Sequence, residues 1–292
     1  MQVKYFIQAT VSKFFLNSYK LVGLRTGSYW GSLLGRALGR IAPEGKLAAR
    51  NIARALPQLT AAQQHQVNKD LWSNLGRLIG EFPHLKQIDA ESDSRLLFEG
   101  LEHIQAAQKT GKPIIVLSGH FANWEMVMIG LGKILGPTGA LYRAANNPYM
   151  EDWIVKQRSA FMPIQIQKNT EGARKMIELM KAGTPIAGLV DQRLNTGDPI
   201  NFLGRETRAP SAFVKLARRF EAPIIMTRII RRDDGPDKTH FKQIFYPAFY
   251  TPQSDNMQAD IDATMRQVYD VFEDWISERP ADWFWAHNRW GD

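Results

Sequence analysis

GKPIIVLSGHFANWEMVMIGLGKIL, residues 111–135, decides the fold. It opens on a Gly-Pro turn, runs through an apolar strand, leaves that strand sharply at Gly119-His120, and continues as a helix from about Asn123. A buried strand feeding a helix through a short loop is the start of a βαβ unit. On a regular α-helix His120 and Glu125 would lie about 140° apart and could not pair. They can pair if His120 closes the strand exit and Glu125 sits in the first helical turn. A neutral imidazole could then take a proton from a hydroxyl while a carboxylate fixes its tautomer. The carboxyl ends of strands are also where open α/β sheets bind ligands. His120 could equally serve only to cap the helix. No metal is expected here, because two candidate ligands without a nearby third do not make a site.

The same pattern repeats along the chain. ALYR (140–143), PIAGLVDQR (185–193) and PIIMTRII (223–230) read as further strands. EDWIVKQRSAF, TEGARKMIELMKAG and APSAFVKLARRF read as the helices between them, with Gly183 as a helix stop. A long helix, QADIDATMRQVYDVFEDWISERP, ends the pattern. This alternation predicts an α/β fold with a largely parallel central sheet flanked by helices, capped by helices at both ends. Residues 44–82 predict two helices broken near Pro57, the second capped by Thr60. Gly31, Gly35 and Gly39, four apart, suit close approach to another helix or to lipid. Trp283, Trp285 and Trp290 are expected in the core, Trp290 as the more exposed.

The 292 residues include no cysteine, which excludes disulfides, thiolate catalysis and zinc–sulfur sites. A net charge of +8 favours anionic partners: nucleic acid, phospholipid headgroups or an acidic protein. Nucleic acid is not expected, since no basic run resembles a recognition helix or an aromatic RNA-binding motif. Arg174, Lys175, Lys181, Arg218, Arg219, Arg231 and Arg232 could form a basic face. The first 24 residues place Val3, Phe6, Ile7, Thr10, Phe14 and Leu21 on one arc, with Lys13 and Lys20 opposite. The stretch lacks the ~18 uninterrupted apolar residues of a spanning helix and any small-residue cleavage site. It predicts a basic amphipathic helix lying in a headgroup region, residues 1–42 forming a membrane-associating segment before a domain at 43–292.

Gly119-His120-Phe121-Ala122-Asn123-Trp124-Glu125 resembles the Gly-His-x-x-Asn-Trp-Glu form of the lipid A late acyltransferases, within the lysophospholipid acyltransferase-like superfamily. Arg143, Asn146, Asn147 and Pro148 are similar to that family's Arg-x-x-Asn-Asn-Pro block. Asp191-Gln192 followed by Phe202-Leu203-Gly204, and the ending Trp283–Trp290, resemble two more blocks in the same order. Arg193 departs from the pattern, where an acidic residue or glycine is the rule. The resemblance implies acyl transfer from acyl-acyl carrier protein, or from acyl-CoA, to a hydroxyl of a lipid A precursor, with no cofactor. It implies His120 as general base oriented by Glu125, and Arg143, Asn146, Asn147, Asp191 and Gly204 as candidate substrate or oxyanion contacts. It implies a place at the cytoplasmic face of a Gram-negative inner membrane. A glycerophospholipid or an inositol glycolipid remains an alternative acceptor.

Overall fold

Glycines decide how the chain begins to pack. The computed structural model describes residues 2–291. Four helices come first: α1 (Gln2–Val22), α2 (Leu24–Ile41), α3 (Pro43–Ala55) and α4 (Ala61–Glu81). Thr60 caps α4 in a capping box with Gln63, and the α3/α4 break falls at Pro57. Helix α2 lies against α4 backbone to backbone: a Cβ on Gly31 would sit 2.1 Å from the Gly76 carbonyl oxygen. One on Gly35 would sit 2.1 Å from that of Trp72, and one on Gly39 would enter the Trp72 ring. The glycine spacing therefore serves a helix partner within the chain.

Among the described residues nine strands follow: β1 (Leu96–Glu99), β2 (Ile115–Ser118), β3 (Gly139–Tyr142), β4 (Ile164–Gln167), β5 (Ile186–Leu189), β6 (Asp198–Phe202), β7 (Arg205–Ala209), β8 (Ile224–Arg231) and β9 (Phe241–Phe245). Seven make one sheet in the order β1-β9-β8-β2-β5-β3-β4, parallel at every pairing but β8 with β9. The fold is α/β with a mostly parallel sheet flanked by helices, as the alternation predicts. Along β2, Ile115 and Leu117 point into one core, Ile114 and Val116 into the other, so both faces of the sheet are covered. Strands β6 and β7 form a separate hairpin whose Phe202 packs on Tyr269 of helix Met257–Glu278 and on Trp283. Trp283, Trp285 and Trp290 are all core residues, Trp290 being the most exposed of the three, as expected, at 8%.

Helix α1 packs through Ala9 and Tyr19, and its apolar arc faces outward: Phe14 is 78% and Leu21 88% exposed. The side chain of Val3, another arc position, lies outside the described residues. Trp30, Leu38 and Ile41 extend the exposed apolar surface along α2. Among the described residues no helix is long and apolar enough to cross a membrane.

The α2/α4 contact gives a direct test. Gly31→Ala forces a methyl group into backbone, a cost of about 1–3 kcal/mol. Its melting temperature should fall by about 3–10 °C. Gly132→Ala, whose Cβ would meet nothing closer than 3.5 Å, should hold or raise it. Equal melting of Gly31→Ala and wild type would refute the close packing.

Candidate active site

His120 stands two residues beyond β2, and Asp191 two beyond β5. These strands are neighbours in register, Ser118 opposite Leu189, so the two side chains meet at the same sheet edge. His120 Nδ1 lies 2.7 Å from Asp191 Oδ1, and the His120 backbone N–H donates to Oδ2 at 3.0 Å. Trp283 Nε1–H donates to the same Oδ2 at 2.8 Å. Burial alone would raise the Asp191 carboxyl, but the His120 charge and these hydrogen bonds hold it at about 2. An ionised Asp191 makes Nδ1 the protonated nitrogen and leaves the Nε2 lone pair free. Gln192 Nε2 at 3.3 Å from His120 Nε2 donates to that lone pair, which fixes the same tautomer.

The expected His120–Glu125 pairing is therefore corrected: the carboxylate against His120 is Asp191. Glu125 does open the helix Glu125–Ile134, but it is buried and bonded by Arg158 through both Nε and Nη2. The reason is strand order. The strand beside β2 is β5, which brings an acidic residue 71 positions away to the imidazole.

The loop that carries His120 is held from three sides. Gly119 is required there, because a Cβ would come within 2.8 Å of the Phe121 ring and 3.1 Å of Asp191 Cγ. Ala122 is left-handed, φ 48°, a conformation that persists only where surroundings impose it. The C-terminal segment supplies that: Ala122 N–H donates to Asp282 O at 2.8 Å, and Phe284 N–H to His120 O at 3.0 Å. On the other side Asn123 Nδ2 donates to Glu81 Oε2 at 2.8 Å, while Asn123 Oδ1 accepts from Glu125 N–H. Glu81 is fully buried and also accepts from Ser28 Oγ (2.7 Å) and from Arg231 Nη1 (2.6 Å).

The remaining candidates divide. Arg143 stands exposed just after β3, and its charge reaches Lys168 and His287. Asn146 is exposed. Asn147 is a helix cap, accepting from Tyr149 N–H at 3.1 Å, and its Nδ2 donates to Tyr5 O of α1 at 2.8 Å. Gly204, φ 73°, with Leu203 at φ 51°, turns the β6–β7 hairpin and faces open space. The expected basic face is partly neutralised: Arg231 is buried on Glu81, Arg218 pairs with Asp260 and Arg232 with Asp234. The Asp-Gln at a strand end signals Gln192, and the terminal aromatic block signals Trp283 though not its bond to Asp191, whereas Arg158 and Glu81 carry no signal in the sequence. Beside Gln192 an open cleft of about 450 Å³ is lined by Arg193, Asn201, Arg208 and Trp290.

His287 adds a pH-sensitive element. Its Nε2 accepts from Arg193 N–H at 3.2 Å. Burial lowers it to about 4 from an ordinary 6.5; Asp191 opposes this, while Arg289, His120 and Arg143 add to it. A histidine depressed on folding contributes stability above its unfolded value that is lost as pH falls from 6.5 toward 4. The melting temperature should drop across that window, and drop less in His287→Gln, which keeps an acceptor for Arg193. Parallel melting curves for both proteins across the window would rule this out.

Three comparisons bear on what this arrangement belongs to. The profile of the bacterial lipid A biosynthesis acyltransferases matches residues 3–291. The lipid A biosynthesis palmitoleoyltransferase of Escherichia coli (strain K12) is 22% identical over 251 residues, 83% of this chain and 77% of that protein. The phosphatidylinositol mannoside acyltransferase of Mycobacterium tuberculosis is 23% identical over 249 residues, 82% and 75% of the two chains. Among solved structures, the 1-acyl-sn-glycerophosphate acyltransferase of Thermotoga maritima aligns with a TM-score of 0.40 at 11% identity, over 94% of this chain and 98% of that one. With the profile running over residues 3–291, the chain belongs to the bacterial lipid A biosynthesis acyltransferase family.

Proposed function

We propose that the chain transfers a fatty acyl group from an acyl-acyl carrier protein thioester to a hydroxyl of a lipid A precursor at a membrane surface. The observation that carries this is the geometry around His120: Nδ1 lies 2.7 Å from the buried Asp191 carboxyl and Nε2 3.3 Å from Gln192 Nε2, an arrangement that favours Nδ1–H and a basic Nε2. Nε2 takes the proton of the acceptor hydroxyl as its oxygen attacks the thioester carbonyl. Asp191 stabilises the imidazolium so formed, as the carboxylate of a Ser-His-Asp triad does. Collapse of the tetrahedral intermediate expels the thiolate, which recovers the proton from His120, so no cofactor is called for. Arg143 at the open edge serves the anionic side of the reaction, the oxyanion or a phosphate of the acceptor. Glu125 acts at one remove, by neutralising Arg158 under the helix that follows the loop.

The test is mass detection of acyl gain on a tetra-acylated lipid A precursor, using purified wild type, His120→Ala, Asp191→Asn and Glu125→Gln. His120→Ala should lose about 10²–10⁴ in kcat with melting temperature little changed, and Asp191→Asn should lose as much in kcat and also melt lower, because its amide can accept at one oxygen only. Glu125→Gln leaves Arg158 buried without its counter-ion and should lose mainly stability, about 3–5 kcal/mol. A Glu125→Gln protein that melts normally yet is inactive would return the partner role to Glu125. The similarity to phosphatidylinositol mannoside acyltransferases at 22–23% identity favours, as a second reading, an inositol glycolipid acceptor. Transfer to such a glycolipid with none to the lipid A precursor would select it.

Membrane docking falls to α1 and α2. Phe14, Leu21, Trp30 and Ile41 face outward, with Lys4, Lys20 and Arg40 exposed on the same two helices. This combination suits burial in a headgroup region. Phe14→Glu with Leu21→Glu should abolish flotation with phosphatidylcholine vesicles and leave the melting temperature unchanged. Undiminished flotation would remove these helices from the docking role.

A further inference from the structure

We infer that the cavity between α2, α3 and α4 is a binding site for the anionic phosphate headgroup of a membrane lipid, separate from the acyl-transfer site. The cavity has a volume of about 230 Å³, room for a headgroup and far too small for a protein segment. Its lining includes Arg36, Arg40, Lys46, Lys69, Asn68 and Trp72, and no acidic side chain. None of the four cations has an ion-pair partner among the described residues. By contrast, Arg95, Arg158, Arg218, Arg228 and Arg231, packed into the body of the fold, each meet a carboxylate. Four uncompensated cations around one concavity repel one another, and an anion is what relieves that repulsion.

The walls are built rather than fortuitous. Trp72 is pressed against Gly39, where a Cβ would lie 2.1 Å from the ring, so floor and helix spacing are set together. Arg36 Nε and Trp72 Nε1 are buried donors at this lining without a hydrogen-bond partner. Buried donors left unpaired are costly, and a phosphate supplies acceptor oxygens to a guanidinium. The position names the source of the phosphate. Leu38 and Ile41, exposed on the same turns of α2 as Gly39 and Arg40, continue the apolar face assigned above to the bilayer. A lipid seated there has its phosphate at the cavity and its chains beside α2. In this respect the inference rests on the docking reading.

The experiment uses the full chain with three probes: phosphatidylcholine vesicles, the same vesicles with one-fifth phosphatidylglycerol, and soluble glycerophosphoglycerol. Wild type should bind the phosphatidylglycerol vesicles more tightly, and glycerophosphoglycerol should raise its melting temperature. Lys46→Glu with Lys69→Glu should weaken binding to phosphatidylglycerol vesicles by more than about tenfold and abolish the melting shift. Binding to pure phosphatidylcholine should stay unchanged in that variant. The matched pair Lys86→Glu with Lys109→Glu, exposed cations outside the cavity, should cost much less. Equal losses from both pairs would show undirected surface charge and overturn the site. A melting shift without any phosphatidylglycerol preference would overturn the lipid assignment. Failure of wild type to bind phosphatidylcholine, with the glycerophosphoglycerol shift intact, would fault the docking reading and leave the anion site standing.

Discussion

The site depends on one buried carboxylate. Asp191 accepts from the His120 backbone, from the His120 ring and from the Trp283 indole, three donors from two chain segments remote from it in sequence. An isolated carboxylate buried this deeply would neutralise itself. With these donors it stays ionised, and its charge then decides which imidazole nitrogen holds the proton. The three contacts are interdependent. Trp283 reaches Asp191 because the C-terminal segment pairs with the His120 loop through Phe121 and Trp283, and that pairing also holds the left-handed Ala122. Base, orienting group and loop conformation are thus fixed by one set of bonds.

A second buried carboxylate, Glu81, links the site to the outer helices. Ser28 of α2, Asn123 of the loop and Arg231 of β8 all donate to it. A buried ion pair adds little stability over a well-packed apolar pair of the same size, because desolvation offsets the attraction. What the Glu81–Arg231 pair does provide is direction: each bond ends on a different element, and every remaining lone pair has a defined donor. The aromatic face of Phe241 under the Arg231 guanidinium completes its desolvated setting.

Local signals were legible in the sequence. The β2–loop–helix unit, the break at Pro57, the Thr60 cap and the parallel α/β class follow from periodicity, proline and capping chemistry, whose range is a few residues. Edge strands were not. β1, LLFE, and β4, IQIQ, are the two edges, and β9, FKQIF, lies beside β1; β4 and β9 interleave polar with apolar residues and β1 offers only three apolar ones, so none carries the continuous apolar run of a central strand. Within the site, His120 and Asp191 were found as motif positions, but their pairing was not, because sequence order does not say which strands are adjacent. Glu125 was the nearer carboxylate along the chain, and proximity along the chain favoured it. Arg231 shows the converse error. Its charge suggested surface, whereas Glu81, 150 positions earlier, allows it to be buried.

Helix spacing couples the outer helices to the site. Packed helices ordinarily stand about 8–10 Å apart. Glycines 27, 31, 35, 76 and 80 remove the side chains that enforce that distance, so that backbone carbonyls of α2 and α4 face glycine Cα atoms across the contact. Only at such an approach can a side chain as short as Ser28 reach Glu81 at the end of α4. The same approach presses Trp72 onto Gly39 and shapes the cationic cavity. Helix α1 adds a second tie, from Tyr5 O to Asn147 beyond β3, on the sheet edge where His120 and Asp191 stand. The small residues of α2 therefore set the depth of α4, the depth of α4 sets Glu81, and Glu81 holds Asn123 three residues from the histidine. A patch of sequence that carries no chemistry of its own fixes where the outward apolar face lies relative to the sheet edge.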